Sequence, residues 1–449
     1  MSFEKKMKQR GNQNIDAKTP NLYEKPHRSF PLWAKIAIPS GTAVLATVIT
    51  LAVVIPNLNS VQKTLVPKYN TDYFAAAPKA NAIQSVDATV VSRTATKTLQ
   101  NLDAYFAKEN NKNYVLSPAS YLLAASAVAA VSDGFDLSAF GLVDASKDTK
   151  ALLESWNFLY NYKTQYEEAF CEFDSGVLHQ QVGGTYRFDE EKRKAIADDY
   201  IATSVASLKD YHAQAIDYFH NHVGLTIPIP DPQCISDSVI TYGALKMKDY
   251  VPNGFGSAKN DFYVDGKTIQ VDTREFGSTL FPLTLPYYEG TNYQAFRMLI
   301  EHTSLLFILP NEGVSLESIS VSEAYSSFMA NKKSYNAVGY VPYFHLETFA
   351  EDLTNAMKSK LTGQEVFFSK LLADDVHNNL MLSSVLQTSD FEFNIYGVSG
   401  ESITVMDYAT SPEPEEHEVI ELKVGRPFYA ISLKDDFPLF VNKVNDPSK

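Results

Sequence analysis

"GRPFYAISLKDDFPLFVNKVNDP" occupies Gly425 to Pro447 at the end of a 449-residue chain. It reads as two apolar strands and the turn between them, aromatic and β-branched residues bounded by Gly, Pro, Asn and Asp. Working backwards, "DFEFNIYG", "AVGYVPYFHLET", "FRMLIEHTSLLFILP", "TIQVDT", "NDFYVDG" and "DSVITYGALKM" each read as a strand of the same texture. "SLLFILP" is nearly all apolar, as a strand buried on both faces would be. Before Cys234 the texture changes. "TVVSRTATKTLQNLDAYFAKE" places apolar residues at helical spacing without a breaker. "SPASYLLAASAVAAVSD" offers Ser117 as N-cap and Pro118 as the first helical residue. "DEEKRKAIADDYIATSVASLKDYHAQAIDYFHNHV" reads as one or more further helices. Helices lead and strands follow, which predicts an α+β domain with large mixed sheets. No internal repeat is visible.

One tract resists this reading. "FNIYGVSGESITVMDYATSPEPEEHEVIEL", Phe393 to Leu422, starts as a strand and then loses its period. Small residues, prolines and a burst of glutamates follow, and no Lys or Arg occurs until Lys423. Around His417, "SPEPEEHEVIE" lacks the Asp/Asn/Gly spacing of a calcium loop and reads as a solvated acidic run.

With 45% apolar and 12% aromatic residues the chain can bury a sizeable core, and its net charge of −14 argues against nucleic acid or acidic lipid as a partner. The charge is uneven. Residues 1–35 carry eight Lys/Arg against three acids, leaving 31 basic against 50 acidic residues beyond. Between these zones Ile36–Ile55 has no ionisable group over 20 residues, enough at 1.5 Å per residue to cross a bilayer. Trp33 and Lys35 flank it, and the basic side precedes it, so the positive-inside rule predicts a cytoplasmic N-terminus. A cleaved signal peptide would have a shorter apolar run and a small-x-small site; neither is present. The expected organisation is a disordered cytoplasmic tail (1–31), a transmembrane signal anchor (32–55) touching the lipid bilayer, a stalk (56–88) and a folded extracellular domain (89–449) at the cell membrane.

Catalytic signatures are missing: no Gly-x-Ser-x-Gly, Walker loop, HExxH or GxGxxG occurs. His212, His220 and His222 share a helical stretch and read as an exposed polar face rather than a metal site. Cys171 and Cys234 form no CxxC pair and read as two buried thiols, one disulfide being the alternative outside the cell. No enzyme, cofactor or metal is expected.

Four stretches, in order, resemble the serpin family. "NYVLSPAS" (Asn113–Ser120) is similar to its N-x-x-x-S-P-x-S helix opening. "FILPNEG" (Phe307–Gly313) resembles its F-x-L-P-x-E-G element, and "VPYFHLE" (Val341–Glu347) its P-K-F-x-[LI]-E strand. The opening quotation resembles its closing strands, with Asn442 in place of a glycine. "QAIDYFHNHVGLTI" is a weaker fifth match, to the family's helix F. The likeness covers about residue 89 to the C-terminus.

The resemblance implies a function. Serpins expose a reactive-centre loop; a target protease cuts it, and the freed arm inserts as a new strand into the main sheet with the protease attached. The tract after Phe393 occupies that loop's place, and its hinge would be Ile395, Tyr396, Gly397, Val398, Ser399, Gly400, Glu401 and Ser402. By strand alternation, Val398, Gly400, Ser402 and Thr404 would point inward and are small, while Glu401 would face water. No proline interrupts before Pro412. The shutter positions would be Ser117, Ser120, Thr241 and Gln387, the last two standing where the family has Asn and His. Ile395 stands where the family has an acid, and the tryptophan expected after the third strand of the main sheet is missing. Reactive-bond candidates are Tyr408, Ala409, Thr410 and Ser411. With no basic residue near them, an elastase-, subtilisin- or chymotrypsin-like serine protease is the expected partner rather than a trypsin-like one. The expectation is a membrane-anchored, bacterial-type serpin acting as a suicide inhibitor; the alternative is a non-inhibitory binding protein on the same fold.

Overall fold

A computed structural model describes residues 88–108, 112–131, 135, 137–142, 170–180, 191, 204–207, 238–250, 256–301, 303–359, 385–400 and 419–449. The segments expected to form a tail (1–31), an anchor (32–55) and a stalk (56–88) lie outside these residues except for Ala88, which opens the first helix. Among the described residues no helix is long and apolar enough to cross a membrane.

Helix α1 (Ala88–Phe106) buries Val91, Ala95, Leu99, Leu102 and Phe106, an apolar stripe at i, i+4 and i+3 spacing. After strand β1 (Tyr114–Leu116) comes helix α2 (Pro118–Val131). Its cap is Ser117, whose Oγ accepts the Ser120 N–H at 3.1 Å, satisfying one of the helix's orphan donors. Pro118 takes the first helical position, where no donor is needed.

Strands β2 (Phe170–Gln180), β3 (Ser204–Ser207) and β4 (Ser238–Tyr250) follow, then β5 (Gly256–Val264), β6 (Lys267–Phe276), β7 (Leu283–Glu289), β8 (Tyr293–Leu299) and β9 (Ser304–Pro310). Helix α3 (Val321–Asn331) precedes β10 (Lys333–Pro342) and β11 (Phe344–Asp352). Short helix α4 (Thr354–Lys358) leads to β12 (Leu386–Asn394) and β13 (Gly397–Gly400). The chain closes with β14 (Ile420–Lys423), β15 (Phe428–Lys434) and β16 (Phe437–Val444).

Two sheets result. The larger has the order β1-β16-β15-β9-β8-β7-β10-β6-β5, with β14 beside β10; the smaller runs β11-β12-β13-β4-β2-β3. The fold is α+β with large mixed sheets. Strands β9, β15 and β16 are buried along their whole length, which is why their sequences lack a polar alternation. Aromatic rings join the sheets: Phe344 lies 5.9 Å from both Phe391 and Phe428, and Phe391 5.3 Å from Phe440. Asn442 is fully buried on β16, where its amide donates to the Ala430 carbonyl at 3.1 Å. Buried Lys443 pairs with Glu317 at 2.7 Å and donates to the Lys108 carbonyl at 2.7 Å.

Three elements differ from the sequence reading. "AVGYVPYFHLET" is two strands, broken at Tyr343, whose N–H donates to the Asp272 carbonyl. The break lets β10 serve the large sheet and β11 the small one. Ser204–Ser207 lies in a stretch expected to be helical, but its backbone pairs in parallel with β2 from Gly176 to His179; ladder pairing outweighs local propensity there. Strand β2 itself, which carries Cys171, stands in the half read as helical. Cys234 lies outside the described residues.

Candidate functional site

Strand β12 alternates without fault. Gln387, Ser389, Phe391 and Phe393 are buried, and Leu386, Thr388, Asp390, Glu392 and Asn394 are half-exposed. It ends in a tight turn at Ile395 and Tyr396, both exposed, where the Tyr396 N–H donates to Asn394 Oδ1 at 2.8 Å. Gly397 then takes a φ of +150°, and a Cβ there would stand 2.0 Å from the Asp249 carbonyl oxygen. Glycine is required on both counts, conformation and close approach.

The next residues run back as β13, antiparallel to β12 (Asn394↔Gly397, Phe391↔Gly400) and also to β4 (Gly397↔Tyr250, Ser399↔Lys248). The first part of the loop is therefore a short strand between two long ones. Among the described residues β12 and β4 share no ladder of their own. With strands about 4.8 Å apart, three abreast hold β12 and β4 roughly 10 Å from each other. Val398 points into the core and is 1% exposed. Ser399 points outward, its Oγ donating to Glu392 Oε2 at 3.4 Å, with Lys248 as its partner on β4.

Each bank of this slot is fixed elsewhere. At the β13 end, Asp249 is buried on β4; its Oδ2 accepts the Thr303 N–H and Oγ1–H, each at 2.8 Å, and its Oδ1 accepts the Tyr250 N–H at 2.9 Å. These bonds tie β4 to the segment entering β9. Further along, Gln387 of β12 gives both ends of its amide to Ser117. Its Oε1 accepts the Ser117 N–H at 2.8 Å, and its Nε2 donates to the Ser117 carbonyl at 2.9 Å. The Ser117 hydroxyl donates to the Leu439 carbonyl at 2.8 Å. Helix α2 also meets β4, because Gly243 lets the two backbones touch: a Cβ there would lie 2.5 Å from the Ser120 carbonyl oxygen. The start of α2 thus lies across the slot and grips both banks. Thr241 sits two residues along β4, opposite Val177 of β2.

The structure brings together Ser117, Ser120 and Gln387, and separately Gly397, Val398, Ser399 and Gly400 with β4. Glu401, Ser402, Tyr408, Ala409, Thr410 and Ser411 lie outside the described residues. The loop's far end returns as β14, parallel to β10 from Ala337↔Ile420 to Tyr340↔Lys423, in the other sheet. The sequence reading missed Asp249 and Thr303. The signal was present: Leu245, Met247 and Asp249 alternate along β4, so the third of them had to share the buried face of the first two.

No family model matches this chain, and no curated protein matches it. Solved structures do. A serpin from Arabidopsis in its native stressed conformation matches with a TM-score of 0.60 and 15% identity, over 82% of this chain and 100% of its own. Tengpin, a thermophilic serpin in the native state, matches at 0.59 and 17%, over 82% and 96%. The fold is the serpin fold. Thyroxine-binding globulin complexed with thyroxine also matches, at 0.59 and 17%, over 81% and 99%.

Proposed function

We propose that this chain inhibits a serine protease as a suicide substrate, by cleavage and insertion of the loop that follows β13. The observation supporting it most is β13 itself: Gly397–Ser399 is already paired on both edges with strands that share no described ladder with each other. Continuing the register gives the inserted arm. Gly397 faces Tyr250 in an antiparallel ladder, so a continued strand would set Ala409 opposite Ser238, the first residue of β4. Cleavage anywhere from Tyr408 to Ser411 would free an arm long enough to line β4 to within one residue. Inward, Ser402 would fall beside Ser389 and Leu245, and Thr404 beside Gln387 and Gly243. On the β12 side small polar side chains would meet buried polar neighbours. Outward, Glu401 would lie between Asp390 and Lys246.

The partner is an elastase-, subtilisin- or chymotrypsin-like protease, and the chain is not itself an enzyme. Residues 32–55 would hold the domain at the outer surface of a cell membrane. Incubating the protein with elastase and subtilisin tests the inhibitory reading. A band that survives boiling in detergent is expected; quantitative cleavage without such a band would count against inhibition. The parity of the arm gives a sharper check. Thr404→Arg would put a charge on the core side and convert the protein to a plain substrate, whereas Ile403→Arg, pointing to water, would leave complex formation nearly intact.

A second reading is a binding protein that does not inhibit. Gln387 favours it, since both ends of its amide are committed to Ser117, and so does an apolar, exposed Ile395 at the hinge. A ligand-bound globulin shares the fold. This reading expects cleavage without insertion.

A further inference from the structure

On the outer face of the small sheet, beside the slot but outside it, three ligating side chains converge. His345 and Glu347 are two residues apart on β11 and so point to one side. Asp390 stands directly opposite Glu347 on β12, and Glu392 directly opposite His345. His345 Nε2 is 2.9 Å from Asp390 Oδ1 and 3.8 Å from Glu347 Oε1. One donor atom from each of the three lies within 4.8 Å of the others. Tetrahedral ligands about 2.1 Å from a zinc ion stand about 3.4 Å from one another, so small rotations bring these donors to bonding distance. We propose that His345, Glu347 and Asp390 bind a divalent transition-metal ion of the zinc type.

A further feature supports this. The strands that carry the three are held firmly from behind. Phe344, Leu346, Phe391 and Phe393 bury the opposite face, so the ligands project from a rigid platform. An imidazole with carboxylates suits zinc, cobalt or manganese, whereas calcium and magnesium prefer oxygen throughout. Glu392 completes the square and already contacts Ser399 of β13, which sets the ion one residue away from the hinge strand. The site stands whether or not the loop inserts.

The experiment is a titration of the full-length protein with cobalt(II), the spectroscopic stand-in for zinc, slightly above neutral pH. One equivalent should develop visible absorption bands and be displaced by zinc. His345→Gln and Asp390→Asn should each abolish the bands, while the triple variant His212→Gln/His220→Gln/His222→Gln should keep them. Zinc should also raise the thermal midpoint of the wild-type protein and not of the two site variants, as ligand linkage requires. Absence of bands in the wild type would show that His345 serves only as an ion-pair partner of the two acids. Bands that persist in both site variants, or vanish in the triple variant alone, would place the metal elsewhere. Either result overturns the proposal.

Discussion

At Gly397 a single hydrogen in place of a side chain decides whether the loop can start as a strand. Gly397→Ala puts a methyl against the Asp249 carbonyl. Displacement of β13 is expected, seen as faster hydrogen exchange at Val398–Gly400 and at Asp249 with little change in far-UV circular dichroism. Unchanged exchange would mean that the close approach is not needed. Gln387→Leu removes two buried bonds to Ser117 and leaves the Ser117 N–H unpaired, its carbonyl still accepting the Tyr121 N–H, at a cost of about 2 kcal/mol. Denaturant unfolding should detect the loss. Lys443 is a further point of vulnerability, because it is buried and its charge answers to Glu317. Burial pushes the Glu317 carboxyl up, but hydrogen bonds from Lys443 and Ser315 outweigh it and leave its pKa below the ordinary value. A depressed carboxyl stabilises the fold above the unfolded-state pKa, and that contribution disappears as pH falls through the folded-state value. Stability should therefore drop below about pH 4, and Glu317→Gln should remove much of that dependence while costing about 3 kcal/mol at neutral pH. A variant as stable as the parent would show the pair to be idle.

Among the elements, those whose neighbours are close in sequence were legible from sequence, and those completed by distant partners were not. The Ser117–Pro118 start of α2 is written in two adjacent residues. The closing pair β15–β16 is a local hairpin whose apolar texture could be read directly. Strand β3 has four residues, Ser-Val-Ala-Ser, and exists because β2 offers a parallel edge. Nothing in those four letters records that edge. The turn in "VPYFHLE" was equally hidden, since both halves are extended and only the sheets they join tell them apart. At the slot, Val398 could be placed inward by parity. The grip of Gln387 on Ser117 and of Asp249 on Thr303 depends on residues 270 and 54 positions apart. The trio His345, Glu347 and Asp390 was missed for the same reason, because a cross-strand register has no spacing motif.

For the molecule as a whole, the two sheets hold opposite ends of one loop. Gly400 ends a strand of the small sheet, and Ile420 begins one in the large sheet. The loop's far end is held by four ladder pairs with β10. On the proposed function, cutting the loop would free its near arm, and each residue that entered between β12 and β4 would gain backbone partners on both. Such ladder pairing would raise the sheet's resistance to heat. The most direct measurement is the thermal unfolding midpoint of the full-length protein before and after a single cut between Tyr408 and Ser411, confirmed by mass spectrometry. Loop insertion predicts a large upward shift, with new exchange protection along β4 from Ser238 to Met247. A midpoint that stays put or falls, with β4 exchanging as before, would contradict it.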